Sequence, residues 1–99
     1  MTYNLSDAAE ADLDGILDYT WTRYGAAQAE QYYLELRETM ALLADAPLIA
    51  RERRNLNPPV RIHPHGQHLI VYQVSGKARD EHLLIVRVLH QSMDIESQL

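Results

Sequence analysis

The sequence predicts an α+β fold: an N-terminal antiparallel helix hairpin packed on one face of a small, three- to four-stranded antiparallel sheet. Two patterns predict it. Apolar residues recur at three- and four-residue steps through the first half of the chain, broken once at Tyr24-Gly25, and β-branched apolar runs joined by short turns fill the second half. Length supplies the third constraint. At 99 residues the chain has room for a single domain spanning 1–99, and a domain of this size buries roughly two thirds of its unfolded surface without staples.

Tyr3-Asn4-Leu5 reads as an extended lead-in or edge strand. Ser6 is a helix N-cap, with Asp7 and Glu10 in the first turn where carboxylates meet the free N–H groups. Ala9, Leu13, Ile16, Leu17 and Tyr24, with Thr20 between them, form the buried stripe of the first helix, which Gly25 closes. Ala29, Tyr32, Tyr33, Leu36, Met40, Leu43 and Ala44 continue the spacing in a second helix that ends before Pro47. The short connection makes the two helices antiparallel. Leu48 to Pro59 predicts an irregular or briefly helical connector. Strands follow at Val60 to His63, His68 to Val74 and Leu83 to Leu89, with turns at Gly66 and at Ser75-Gly76, the latter lengthened by Lys77 to Glu81. The tail, 91–99, has weak periodicity and is expected to carry short structure with a loose end.

Strict alternation in the last strand sets Leu84, Val86 and Val88 against Leu83, Ile85 and Leu89, and the strand before it sets Ile70, Tyr72 and Val74 against Leu69 and Val71. Both faces are apolar, yet the chain has no third long helix. Leaving such side chains wet forfeits roughly 1.5–3 kcal/mol each, so the open face or groove predicts a partner. The alternative is that the 48–59 connector folds back over that face.

Composition excludes several chemistries. With no cysteine there is no disulfide, thiolate nucleophile or cysteine-based metal site. No apolar run approaches the roughly 20 residues of a membrane span, and the start lacks a signal-peptide pattern, so a cytoplasmic protein is expected. The net charge of −5 divides unevenly: residues 1–47 sum to −7 and residues 48–99 to +2. An acidic chain is a poor general binder of phosphate backbones. His63, His65, His68 and His90 have residue types suited to a metal or to acid–base RNA cleavage, but Pro64 and Gly66 argue against a regular ligand geometry. Neither metal nor cofactor is expected. Asp7, Glu10, Asp14 and Asp18 make an acidic ridge that reads first as a solvated face. Arg51, Arg53, Arg54 and Arg61 have the chemistry for phosphate contact or for surface pairing. Trp21 and Tyr32-Tyr33 read as core and interface residues rather than nucleobase platforms. Phosphate-loop, nucleophile-elbow and metalloprotease motifs do not occur.

The pattern Tyr3-x-Leu5-Ser6, Ala9-x-x-Asp12-Leu13-x-x-Ile16-x-x-Tyr19, Gly25-x-x-Gln28-Ala29-x-x-Tyr32 and Leu36, then Pro47, resembles the N-terminal half of ParE toxins of the RelE/ParE superfamily. Arg61, His68-x-Ile70-x-Tyr72-x-Val74 and the closing Ile85-Val86-Arg87-Val88-Leu89-His90-Gln91-x-Met93-Asp94 are similar to the same family's sheet. The chain departs from the usual pattern at Asn57-Pro58-Pro59-Val60 and at His63-Pro64-His65.

The resemblance implies the toxin of a type II toxin–antitoxin pair, a RelE/ParE-like fold, and a ParD-like antitoxin whose disordered end folds into the groove between helix hairpin and sheet. It implies a hetero-oligomer with that antitoxin, and a non-enzymatic protein that poisons DNA gyrase by protein contact. No sequence-specific nucleic-acid binding and no membrane association are expected. On this reading Arg61, Arg87, His90, Met93 and Asp94 contact the target, and Leu13, Leu17, Tyr32, Leu36, Tyr72 and Val86 contact the antitoxin. The alternatives are a ribosome-dependent mRNA endonuclease using Arg61, His68 and Arg87, or an inactive antitoxin-binding remnant. The nuclease relatives typically place a tyrosine near the C-terminus and basic groups on the central strands. Here no aromatic follows Tyr72, and the positions around Gln91-Ser92-Met93 carry no arginine or lysine.

Overall fold

Ser6 ties the first helix to the sheet: its Oγ accepts from the N–H of Ala9 at 3.0 Å and donates to the carbonyl of Val86 at 2.7 Å. In the computed structural model, which describes residues 2–75 and 82–99, β1 (Tyr3–Leu5) leads through this cap into α1 (Asp7–Tyr24) and α2 (Ala26–Asp45). Gly25, at φ +92°, closes one helix and opens the other, because its N–H donates to Trp21 O and its carbonyl accepts from Ala29 N. Four further elements, β2 (Glu52–Arg53), β3 (Val60–His65), β4 (His68–Ser75) and β5 (His82–His90), precede the short α3 (Ile95–Gln98).

The strands form one five-stranded sheet in the order β1-β5-β4-β3-β2. The expected three- to four-stranded core is present, and two short edges extend it. β1 pairs parallel with β5, Tyr3 opposite Leu83 and Leu5 opposite Ile85, because the helix hairpin and the intervening strands give the chain length that a parallel return requires. At the far edge, the connector expected to be irregular or helical supplies β2 instead, with Glu52 opposite Arg61 and Arg53 opposite Val60. β3 runs two residues further than expected, through Pro64 to His65. Pro64 is tolerated because β2 pairs only with Val60 and Arg61, leaving the outer edge of β3 free at that point. The expected Ser75-Gly76 turn and its Lys77 to Glu81 extension lie outside the described residues beyond Ser75.

The strict alternation expected in β5 is corrected by a register shift. Val71 faces Arg87 while Tyr72 faces Ile85, so Val86 is the extra residue of a β-bulge. Val88 therefore joins Leu83 and Ile85 on the helix-covered face, packed with Ile70, Tyr72, Ala9, Leu13, Leu36, Met40 and Leu43. Leu89 goes to the opposite face with Val71, Val60 and Leu56. That second face is not bare. Leu56 of the connector covers part of it, and Ile95 and Leu99 of the tail pack beside Ile62 and Val86, so the tail carries short structure, α3, as expected, while its expected loose end docks. Tyr24, expected in the buried stripe of α1, is instead exposed.

Candidate functional site

An open groove of about 730 Å³ runs between α1, α2 and the end of the sheet where β4 begins and β5 finishes. Ala11, Gly15 and Tyr19 step by four along one wall of α1, Tyr24 and Gln28 close the helix-hairpin end, and Tyr32 stands on α2. His68, Val88 and His90 belong to the strands beneath, with Gly66 and Gln67 of the β3–β4 turn and Met93 at the margins. Tyr19, Tyr24 and Met93 leave 61%, 63% and 46% of their surface in water. The volume falls in the range of ligand sites, and exposed aromatic and thioether surface around a concavity is characteristic of protein interfaces.

The polar part is a cluster of one tyrosine and three histidines joined by hydrogen bonds and ring contacts. The Tyr32 hydroxyl lies 2.7 Å from His68 Nδ1 and 3.2 Å from the His65 carbonyl, and the His68 and His90 rings meet edge to face with centroids 5.5 Å apart. Two proton positions follow from the partners. Thr39 Oγ1 donates to the Glu35 carbonyl, so its contact with His65 places the imidazole proton on Nδ1, leaving Nε2 3.8 Å from the Glu35 carboxylate. The N–H of Ser92 donates to His90 Nδ1, so the proton of the neutral ring is on Nε2. Burial, followed by the adjacent His90 and His65, lowers the pKa of His68. Burial also raises that of Tyr32.

Gly66 makes this packing possible. Its φ of +56° suits the tight turn, and a Cβ there would lie 2.8 Å from the Tyr32 hydroxyl oxygen. Among the described residues, no group of three or more histidine or carboxylate side chains is arranged to hold a metal.

The groove wall is braced by an ion pair that crosses the edge of β5. Arg87 meets Asp12 through two bonds, Nε to Oδ2 at 2.8 Å and Nη2 to Oδ1 at 2.9 Å, while Oδ2 also accepts the N–H of Val88. The third guanidinium nitrogen donates to the Gln98 carbonyl. The Asp12 contact raises the pKa of Arg87 further.

Of the five residues expected to contact a target, only His90 and Met93 line the groove. Arg87 is held by Asp12 and Gln98, and Arg61, over on β3, donates to the Ala50 carbonyl. Asp94 caps α3, accepting from Glu96 N and Ser97 Oγ. The expected antitoxin contacts are corrected in three cases: Leu13, Leu36 and Tyr72 are buried in the main core, Tyr72 with its hydroxyl donating to Pro47 O, so a partner cannot reach them without unfolding the hairpin from the sheet. Leu17, Tyr32 and Val86 keep some exposure, and among these Tyr32 faces the groove.

Gly15, Tyr19, Gln28, Gln67 and the Asp12–Arg87 pair escape a sequence reading directed at charge and core. The four-residue step of Ala11, Gly15 and Tyr19 was the available signal for the wall. The ion pair spans 75 positions and left no local signal. Trp21, read as a core or interface residue, lies outside the core and is exposed, and the four-acid ridge is solvent-facing as expected.

A family model described as the ParE toxin of the type II toxin–antitoxin system parDE matches residues 3–95. Toxin ParE1 of Mycobacterium tuberculosis H37Rv is 40% identical over 97 residues, an alignment covering 98% of this chain and 96% of that protein. Toxin ParE1 of Caulobacter vibrioides is 37% identical with the same coverage, and Toxin ParE of Escherichia coli is 34% identical, covering 98% and 91%. A solved structure described as the chromosomal ParDE toxin–antitoxin system of P. aeruginosa superposes with a TM-score of 0.72 at 25% identity, over 91% of this chain and 95% of that one.

Proposed function

The chain belongs to the ParE toxin family of type II toxin–antitoxin systems, and from that premise we propose that it poisons DNA gyrase by protein–protein contact and is neutralised by a ParD-like antitoxin seated in the groove beside α1. The pair is a hetero-oligomer acting in the cytoplasm. No helix among the described residues is long and apolar enough to cross a membrane.

The observation that carries the non-enzymatic reading is the engagement of the two strand arginines. A ribonuclease needs cations aimed at the scissile phosphate to stabilise its charge, whereas Arg61 donates to Ala50 O and Arg87 is clamped by Asp12 and Gln98. The groove histidines are hydrogen-bonded to hydroxyls and backbone and touch each other edge to face, with no lysine or arginine among the described lining residues.

The test incubates the purified chain with gyrase, ATP and supercoiled DNA and scores linear cleavage product. Accumulation that the antitoxin abolishes is the expected result. Unchanged gyrase activity in the presence of folded protein, together with an immediate stop in translation on expression, would overturn the proposal in favour of the ribosomal nuclease.

A further inference from the structure

Among the described residues, His68 and His90 are the only groove-lining side chains able to carry a positive charge, and the carboxylate that also lines it, Asp12, has both oxygens taken by Arg87 and Val88 N–H. We propose that this imidazole pair is a proton-linked anchor for a carboxylate of the partner protein, an Asp or Glu side chain set in an otherwise apolar docking segment. The inference rests on the groove being the antitoxin site and adds the chemistry by which that site reads its occupant.

The two rings are in edge contact at 5.5 Å, so charging His68 brings a cation against the neighbouring ring in a partly dry site. Groups facing His68 from each packed element give little help. From β5 comes His90, from β3 His65, and from α2 the neutral Tyr32 hydroxyl. Glu35, also on α2, lies against His65 rather than His68, and Asp12 of α1 is already neutralised. Among the described residues the free groove thus holds no unengaged counter-ion for His68. A docked carboxylate supplies it, and the geometry accepts the extra proton: with Nδ1 of His68 donating to the Tyr32 oxygen, the Tyr32 hydroxyl is free to donate to His65 O. His90 Nε2–H is a second donor to the same anion, its direction fixed by Ser92.

Surrounding chemistry favours a peptide over a nucleic acid. The exposed Tyr19, Tyr24 and Met93 offer apolar surface, and the outer face of α1 carries Asp14 and Asp18, which repel a phosphate backbone. A single carboxylate inside an apolar segment satisfies the histidines without presenting a run of negative charge to that ridge.

Calorimetric titration of the chain with its purified full-length cognate antitoxin, between about pH 6 and pH 8 in two buffers of different ionisation enthalpy, tests this. One proton taken up on binding, with affinity rising by up to about tenfold per pH unit as pH falls, is expected. His68→Gln should abolish the uptake while retaining binding at the high-pH end, and one Asp→Asn or Glu→Gln change in the antitoxin should abolish it equally. Gly15→Trp fills the groove from a position with nothing within 4 Å of an added Cβ, and should weaken binding at every pH. Proton-independent binding that Gly15→Trp still blocks would overturn the anchor and leave the toxin–antitoxin reading standing. Binding indifferent to Gly15→Trp would overturn the anchor and the groove as the antitoxin seat, and no binding at all would overturn the toxin–antitoxin reading as well. A pH-dependent complex with a short RNA oligonucleotide, lost in His68→Gln, would assign the pair to phosphate instead.

Discussion

Gly66 and His68 illustrate how single residues set the groove. At φ +56° and with the Tyr32 hydroxyl oxygen 2.8 Å from where a Cβ would be, any side chain at Gly66 strains the turn and pushes the ring away from His68. His68 in turn has a pKa below 6.5, first through burial and then through His90 and His65. The unfolded chain therefore binds more protons than the folded one across the window between 6.5 and the folded value. Stability from this group is fully present above pH 6.5 and is lost as pH falls through the folded value. Proton NMR should report a His68 titration midpoint below 6.5, and urea midpoints in that window should be less pH-dependent in His68→Gln than in the parent. A midpoint at or above 6.5 would show that the ring is solvated and that the cluster does not shield it.

At the level of elements, the bond between α1 and β5 is the one to break. Asp12 and Arg87 keep only 16% and 23% of their side-chain surface in water, and Asp12 also caps the edge N–H of Val88. Asp12→Ala leaves a half-buried guanidinium without its carboxylate and an edge donor unpaired. The expected loss is about 2–4 kcal/mol, between the values for exposed and fully buried pairs, read from urea unfolding. A loss under about 0.5 kcal/mol would mean that the pair behaves as a surface ion pair. The β-bulge at Val86 belongs to the same scale: one extra residue swaps Val88 into the main core and Leu89 out of it.

Over the whole molecule, the two faces of the sheet are covered unequally. A hairpin of two long helices buries one face, while Leu56 and the four-residue α3 with Leu99 cover the other. Few contacts hold so short a helix, so it belongs to the less stable part of the molecule. Deleting Ile95–Leu99 should lower the unfolding free energy by about 1–3 kcal/mol and increase binding of a hydrophobic dye, with the far-ultraviolet spectrum of the helix hairpin retained. An unchanged urea midpoint and dye signal would show that the tail contributes no cover in solution. The same arrangement covers much of the apolar second face from within the chain.

The helix hairpin was legible because its signals are local: the Ser6 cap, the stripe from Ala29 to Ala44, and Gly25 at the break. The three central strands were legible for the same reason, as was the family, whose pattern depends on residue order. Of the sheet edges, β1 was read as an extended lead-in or edge strand but β2 was not, since a two-residue strand is defined only by its neighbour. The site was legible in part. Tyr32, His90 and Met93 were named from the sequence, but their grouping with His68 depends on a turn, a hairpin register and a helix packing angle acting together. Leu13, Leu36 and Tyr72 were misplaced because hydrophobic periodicity identifies the apolar side of an element without saying whether another element or a partner covers it. The sequence by itself determined the two long helices, the three central strands, their order and the family. Tertiary structure decided the bulge, the Asp12–Arg87 clamp and which apolar residues remain exposed, because each depends on groups brought together from distant parts of the chain.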